Sequence, residues 1–317
     1  MTPAEPSEAG NTPTAKSIWQ VATPWMVLLL IGCAWGLTGP LSKIAVSTGH
    51  NPLGLALWDI AIGAALLVLT LIIRRRKIPL SGRHLMFFAA CGFLGTALPH
   101  VLSFNAYRYL PVGVVVILIS LVPMLTWSLA LTCRLERFSG RRLGGVALGI
   151  VAVLLITLPK TSLPGVEQAL WVLLPVITAL SYAAENIVIA TAKPTNCDAL
   201  ITVTGFSLAS LMMLLPTVAW FDAWVDLSAM GAPEQSLIGS ALLHLGAYSG
   251  LIWLIDKAGP VFASQCGYIV TASGVLGGIM IFGEWHSSWV WMAMVLMFFG
   301  LALVQPRQNR PARGTVR

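Results

Sequence analysis

Mostly apolar runs separated by short polar breaks set the pattern of this chain. Ten such runs cover approximately residues 24–46, 52–73, 85–106, 112–133, 143–158, 169–190, 199–220, 236–255, 260–282 and 289–304. A helix needs about 20 mostly apolar residues to cross a bilayer, so the pattern predicts ten membrane spans, the fifth and tenth being the shortest. The breaks carry residues that stop helices: Asn51-Pro52, Leu110-Pro111, Leu158-Pro159, Lys193-Pro194 and Gly259-Pro260.

Composition agrees with this pattern. The chain is 57% hydrophobic and only 10% charged, with a mean hydropathy of +0.82. Soluble domains carry about 25% charged residues, so most of this surface must face lipid. A net charge of +7 would suit a nucleic-acid partner, but the basic residues form short clusters between the runs. That is the pattern the positive-inside rule produces, and it excludes nucleic acid. With the N terminus inside, 16 Lys and Arg fall on inner segments and two, Arg108 and Lys160, on outer ones, while Lys43 lies within a span. The expected topology has both termini cytoplasmic in a bacterial-type inner membrane. Trp171, Trp220, Trp224, Trp285 and Trp289 then gather at the outer interface. The five cysteines show no CxxC spacing, so neither a disulfide framework nor a metal site is indicated. The polar start of the chain lacks the layout of a signal peptide.

The order of features repeats. Glu136 follows the fourth run and Glu284 the ninth, 148 residues later, each before the last run of its half. Moved by the same offset, Ala34-Trp35-Gly36 falls within a residue of Ser181-Tyr182-Ala183. Five spans per unit is an odd number, so the second copy must insert upside down, an arrangement that places substrate near the midplane between the copies. The predicted fold class is an all-α integral membrane protein, with ten transmembrane helices as two inverted five-helix repeats. Its parts are a disordered tail over 1–22, repeats over 27–159 and 169–304, and a basic tail over 305–317.

Polar side chains inside the runs are the candidates for function, since each is costly in hydrocarbon unless it meets a partner or water. Gly32 and Gly36, four apart, suit close helix packing; Pro40 breaks the first helix toward its outer end. Lys43 and Asp59 lie at depths that a lysine stem can bridge, which suggests an ion pair or a shared outward vestibule, with snorkelling as the alternative for Lys43. Glu185-Asn186, in the inner half of the sixth span, has Thr38 as its counterpart in the first copy. It reads as a proton site, a counter-charge for substrate, or a structural hydrogen bond. Pro99-His100 marks a broken helix. His244 and Tyr248, four apart, share one face, as do Gln265 and Tyr268, a face expected to line a cavity. Gly267, Thr271, Gly274 and Gly278 form a packing stripe, and Trp35, Trp58, Tyr182 and Trp253 offer rings to stack on a substrate. Glu136 and Glu284 read as structural groups near helix starts.

With Trp35-Gly36, Pro40 and Lys43 in the first span, the Leu135-Glu136-Arg137 and Gly283-Glu284 turns, and Gly145 and Gly300 in the closing helices, the chain resembles a ten-helix permease of the EamA type. That family belongs to the drug/metabolite transporter superfamily, and the resemblance covers about residues 27–304. The chain departs from it at Trp58-Asp59, where many relatives carry an arginine, and at Trp285-His286 after the second glutamate. The resemblance implies secondary transport of a small polar metabolite such as an amino acid, with export favoured and import of a vitamin, nucleoside or sugar as the alternative. The expected partners are the lipid bilayer and a small-molecule substrate, with no cofactor; proton coupling and a homodimer stay open. No lysine follows a glycine, so no Walker loop is present. The five histidines are scattered without an HExxH, which disfavours a membrane enzyme. A non-transporting membrane subunit is the remaining class.

Overall fold

The structure, a computed structural model, describes residues 18–159, 162–163 and 165–305. Its regular structure among these residues is all helical, joined by short links. The helices are α1 (Ile18–Val46), α2 (Pro52–Ile73), α3 (Gly82–Tyr109), α4 (Val112–Thr132), α5 (Gly140–Thr157), α6 (Gln168–Ala192), α7 (Ala199–Trp220), α8 (Ala232–Ala258), α9 (Pro260–Ala263 and Cys266–Phe282) and α10 (Ser288–Val304). Eight are long and apolar enough to cross a membrane, and two shorter apolar helices, Cys266–Phe282 and Ser288–Val304, follow them. Helix starts carry the expected chemistry. Asn51 accepts a hydrogen bond from the Leu53 amide with Pro52 in the first turn, and Asp198 accepts one from the Ile201 amide. Gly283 ends α9 in the left-handed region at φ 62°.

The boundaries match the predicted runs to within a few residues, with two corrections. Helix α1 begins at Ile18, inside the stretch expected to be a tail, because residues 18–22 are apolar apart from Gln20 and hold no helix breaker. The rest of that tail up to residue 17, Lys160, and the basic tail beyond 305 lie outside the described residues. The fourth and ninth runs are broken rather than continuous: α4 divides after Ile119 and α9 after Ala263.

Contacts between helix ends fix the direction of each span. If successive helices alternate, the end of α1 shares a side with the end of α9, and Lys43 indeed lies 2.8 Å from Glu284. On that side too, His50 meets Glu234 at 2.8 Å, Trp58 donates to the Val225 carbonyl at 3.0 Å, and the Tyr109 and Trp171 rings stack at 3.9 Å. On the other side Arg76 pairs with Asp198, His84 lies 2.8 Å from Asn196, and Arg141 donates to the Ala302 carbonyl. Every one of these joins ends that alternation puts together. Since five helices precede it, α6 runs opposite to α1. The side bearing Arg74–Arg76 is called the basic end below.

The two sets of five do not form separate lobes. Helix α1 packs along α8 and α9, α2 and α3 along α7, α4 against α6 and α9, and α5 against α10. Small residues permit the closest of these approaches. A Cβ on Gly36 would stand 1.8 Å from Ser273 Oγ and 2.7 Å from the Val270 carbonyl, and one on Gly32 would stand 2.6 Å from Ile269. Gly274 likewise faces Val116 and the Gly36 carbonyl. Large apolar side chains such as Met86, Met212 and Met280 point outward, as a lipid-facing surface requires.

Candidate functional site

Helices α1–α4 and α6–α9 enclose a cavity of about 740 Å³. Its wall is largely apolar, with polar groups entering from named positions: Trp35 and Thr38 on α1, Asp59 on α2, Thr96 and His100 on α3, Tyr182, Glu185 and Asn186 on α6, His244 and Tyr248 on α8. Toward the basic end the lining reaches Ile189, Ala263 and Leu301, close to the ends of their helices. Toward the other end it stops below Leu110 and Val112, at most 1% exposed, and the Glu284 side chain, 7% exposed.

A π-helical turn, Phe93–Ala97, shapes one wall. Pro99 has no N–H to give the Gly95 carbonyl, so the preceding turn widens, and the Leu98 amide bonds the Phe93 carbonyl. The Leu94 carbonyl freed by this shift accepts from Ser181 Oγ of α6 at 2.6 Å. Gly95, in the same turn, supports Glu185: a Cβ there would fall 2.0–2.2 Å from the carboxylate atoms. The widened turn therefore docks α3 onto α6 and seats the carboxylate against bare backbone.

Opposite Glu185 runs a chain of polar and aromatic groups. His100 Nδ1 lies 2.8 Å from the Thr96 carbonyl, and its Nε2 lies 3.2 Å from Asp59 Oδ2. The His244 ring stands 6.1 Å from that of His100 and 5.8 Å from that of Trp35, which lies 6.3 Å from Tyr248. Two buried atoms in this wall, Asp59 Oδ1 and Trp35 Nε1, have no hydrogen-bond partner. Such orphans in a polar cavity are places where a ligand or water can bind. Asn186, at the cavity edge, donates to Thr126 Oγ1 at 3.2 Å.

The structure thus brings together Trp35, Asp59, His100, Glu185, Asn186, His244 and Tyr248, and leaves Lys43, Trp58, Trp253, Gln265 and Tyr268 out of the lining. Lys43 does not pair with Asp59. It is bound to Glu284 and to the Leu110 carbonyl, with the Phe282 ring 5.2 Å away, because the end of α9 packs against the end of α1 while His100 occupies Asp59. Gln265 and Tyr268 do not line the cavity. Gln265 donates to Gln305 at 3.0 Å and Tyr268 packs on Phe298, so this face of α9 turns toward α10. Trp58 is occupied by the Val225 carbonyl rather than facing the cavity. The sequence reading overlooked Gly95 and Thr96; a glycine four residues before Pro99 was the available signal.

This arrangement defines a multi-pass helical membrane protein built around a central cavity with polar groups in its wall. Residues 23–158, from within α1 to just past the end of α5, match the model of the EamA-like transporter family. A solved structure described as "Crystal structure of protein" shares the fold, with a TM-score of 0.58, 15% identity, and coverage of 89% of this chain and 96% of its own. No curated protein matches the chain.

Proposed function

We propose that the protein is a secondary carrier that moves a small polar metabolite bearing a protonatable nitrogen, as amino acids and amines do. It would work by alternating access between its two oppositely directed sets of five helices. The observation that carries this reading is the cavity itself: Glu185 and the Asp59–His100 pair in the middle of a lipid-facing bundle. A carboxyl group at the centre of a span costs about 2.5–3.5 kcal/mol on insertion scales, and binding a substrate or a proton offsets that. Broken helices near a midplane site are the usual apparatus of such carriers, and α4 and α9 supply two. With the basic end taken as cytoplasmic, the cavity extends inward and the Lys43–Glu284 end faces out. Export follows by analogy with the family alone.

Reconstitution of the purified protein in liposomes with labelled metabolites tests the reading. Flux through the protein alone is expected, and Glu185→Gln is expected to lower it at least tenfold and to flatten its pH dependence. Absence of flux for every solute, or a Glu185→Gln protein with wild-type flux and pH profile, would sink it.

A further inference from the structure

A zwitterion would be met best by a cation at its carboxylate, and among the described residues the lining offers none from lysine or arginine. Its charged side chains are Asp59 and Glu185, joined by His100 and His244. Lys43, expected to help hold a zwitterion, is engaged by Glu284 and the Leu110 carbonyl. The carbonyl of Thr96 can only accept, so His100 Nδ1 donates to it, and Nε2 faces Asp59 Oδ2 at 3.2 Å. That histidine is thus taken up by Asp59. Glu185 is left without a counter-charge among the lining residues.

Several backbone amides at the helix breaks are already engaged. At the break in α4 the amides of Met124 and Leu125 bond the Leu121 carbonyl. At the break in α9 those of Gly267 and Tyr268 bond the Ser264 and Gln265 carbonyls. His244 stands edge-on to His100, the ring centroids 6.1 Å apart, and adds no fixed charge to the lining. A carboxylate entering here would sit in a low-dielectric site beside Glu185, with the Trp35 Nε1 donor but no lysine or arginine of the lining to pair with. An ammonium meets the reverse conditions: Glu185 to pair with, the orphaned Asp59 Oδ1 as a further acceptor, and the ring faces of the Trp35–His244–Tyr248 wall.

Resting on the carrier reading above, we propose that the substrate is an amine with an apolar or aromatic body and no free carboxylate, its ammonium bound at Glu185 and its body on the Trp35–His244–Tyr248 wall. Amino acids are then poor ligands, while the amines related to them by loss of the carboxylate are good ones.

Calorimetric titration of the purified protein in nanodiscs with tryptamine against tryptophan, and tyramine against tyrosine, tests the assignment. Each amine should bind at least tenfold tighter than its amino acid. Glu185→Gln should remove that preference, and Trp35→Phe, which keeps every charge, should weaken both members of a pair alike. Unfolding temperatures of the variants show that they are folded. Equal or tighter binding of the amino acids, or no binding of either pair, overturns the assignment. Liposome flux separates this from the carrier reading. Amino-acid flux without amine preference overturns only the substrate class, and amine binding with no flux overturns only the carrier.

Discussion

Glu284 holds one end of the bundle together, and its replacement is the sharpest test of the packing described above. Its carboxylate accepts from Lys43 at 2.8 Å and from the Val112 and Gly113 amides at 2.7 and 3.2 Å. One side chain therefore caps the start of α4 and pairs with the end of α1. The side chain of Glu284 is 7% exposed and that of Lys43 24%, so both are largely desolvated. Glu284→Gln preserves shape but removes the charge from the α4 N-terminus, worth up to about 2 kcal/mol in partly buried geometries. It also strands the ammonium, where breaking a fully buried pair costs about 3–5 kcal/mol. Allowing for the exposure of Lys43, we expect a loss of about 2–3 kcal/mol. Lys43→Met should cost less, about 1 kcal/mol, because Glu284 keeps both backbone donors. The double variant should lose less than the sum of the two by about 1 kcal/mol, a coupling that distant sites do not show. The assay is denaturant unfolding of the purified protein in mixed micelles. Losses that add to within about 0.5 kcal/mol, or a comparable coupling between Lys43 and Asp59, would refute the reasoning. The exchange Lys43→Glu with Glu284→Lys should not restore stability, since it places a cation on the α4 N-terminus.

Further outcomes follow at five other positions. Gly95→Ala should leave the fold intact but lower flux severalfold, because its methyl displaces the flexible end of Glu185; wild-type flux would refute the seating of that carboxylate. Gly36→Ala meets backbone of α9 and should cost about 3 kcal/mol, whereas Gly63→Ala, with nothing within 4 Å, should stabilise by about 0.5–1 kcal/mol; thermal unfolding that ranks them otherwise refutes the packing. Trp58→Phe removes the bond to the Val225 carbonyl, about 1 kcal/mol, and should speed amide exchange across residues 221–231 without altering that of α5 and α10. Burial holds the His286 imidazole, in the link between α9 and α10, below its ordinary value, with Glu284 and Lys43 pulling in opposite directions. Above pH of about 6.5 folded and unfolded forms are both neutral there. As pH falls below that, the unfolded chain binds the proton first and stability declines, a slope that His286→Phe should reduce.

Span positions were legible because lipid imposes a length and an apolarity on every helix, and α2 and α7 match the predicted limits residue for residue. Gly32 and Gly36 were legible for a similar reason: close helix approach allows few residue types, and both do face α9. Partners were less so. Lys43 and Glu284 are 241 residues apart, and helical period says which face each occupies but not which helix covers it. The same limit misplaced Gln265 and Tyr268, which do share a face, the one that α10 covers. His100 was legible as a polar group beside a proline. Its tie to Asp59 needed the packing of α2 on α3.

The two glutamates at matching positions in the repeat show how far sequence equivalence reaches. Glu284 crosses the bundle to cap α4, while Glu136 stays at the surface, its side chain 49% exposed, and meets only Arg142 six residues away at 3.1 Å. Local sequence gives them similar settings, each in a turn before the last helix of its half, so the difference comes from the ends they face. At the end opposite the basic clusters, α1, α4 and α9 converge tightly enough for one carboxylate to reach them all; at the basic end the cavity lining continues nearly to the helix ends. Exposed ion pairs contribute about 0.2–1 kcal/mol, so Glu136→Gln should shift unfolding by no more than about 0.5 kcal/mol where Glu284→Gln costs several times that. Equal losses for the two would mean that the matching glutamates play matching parts, and that the tight end is not held by Glu284 in the way its contacts indicate.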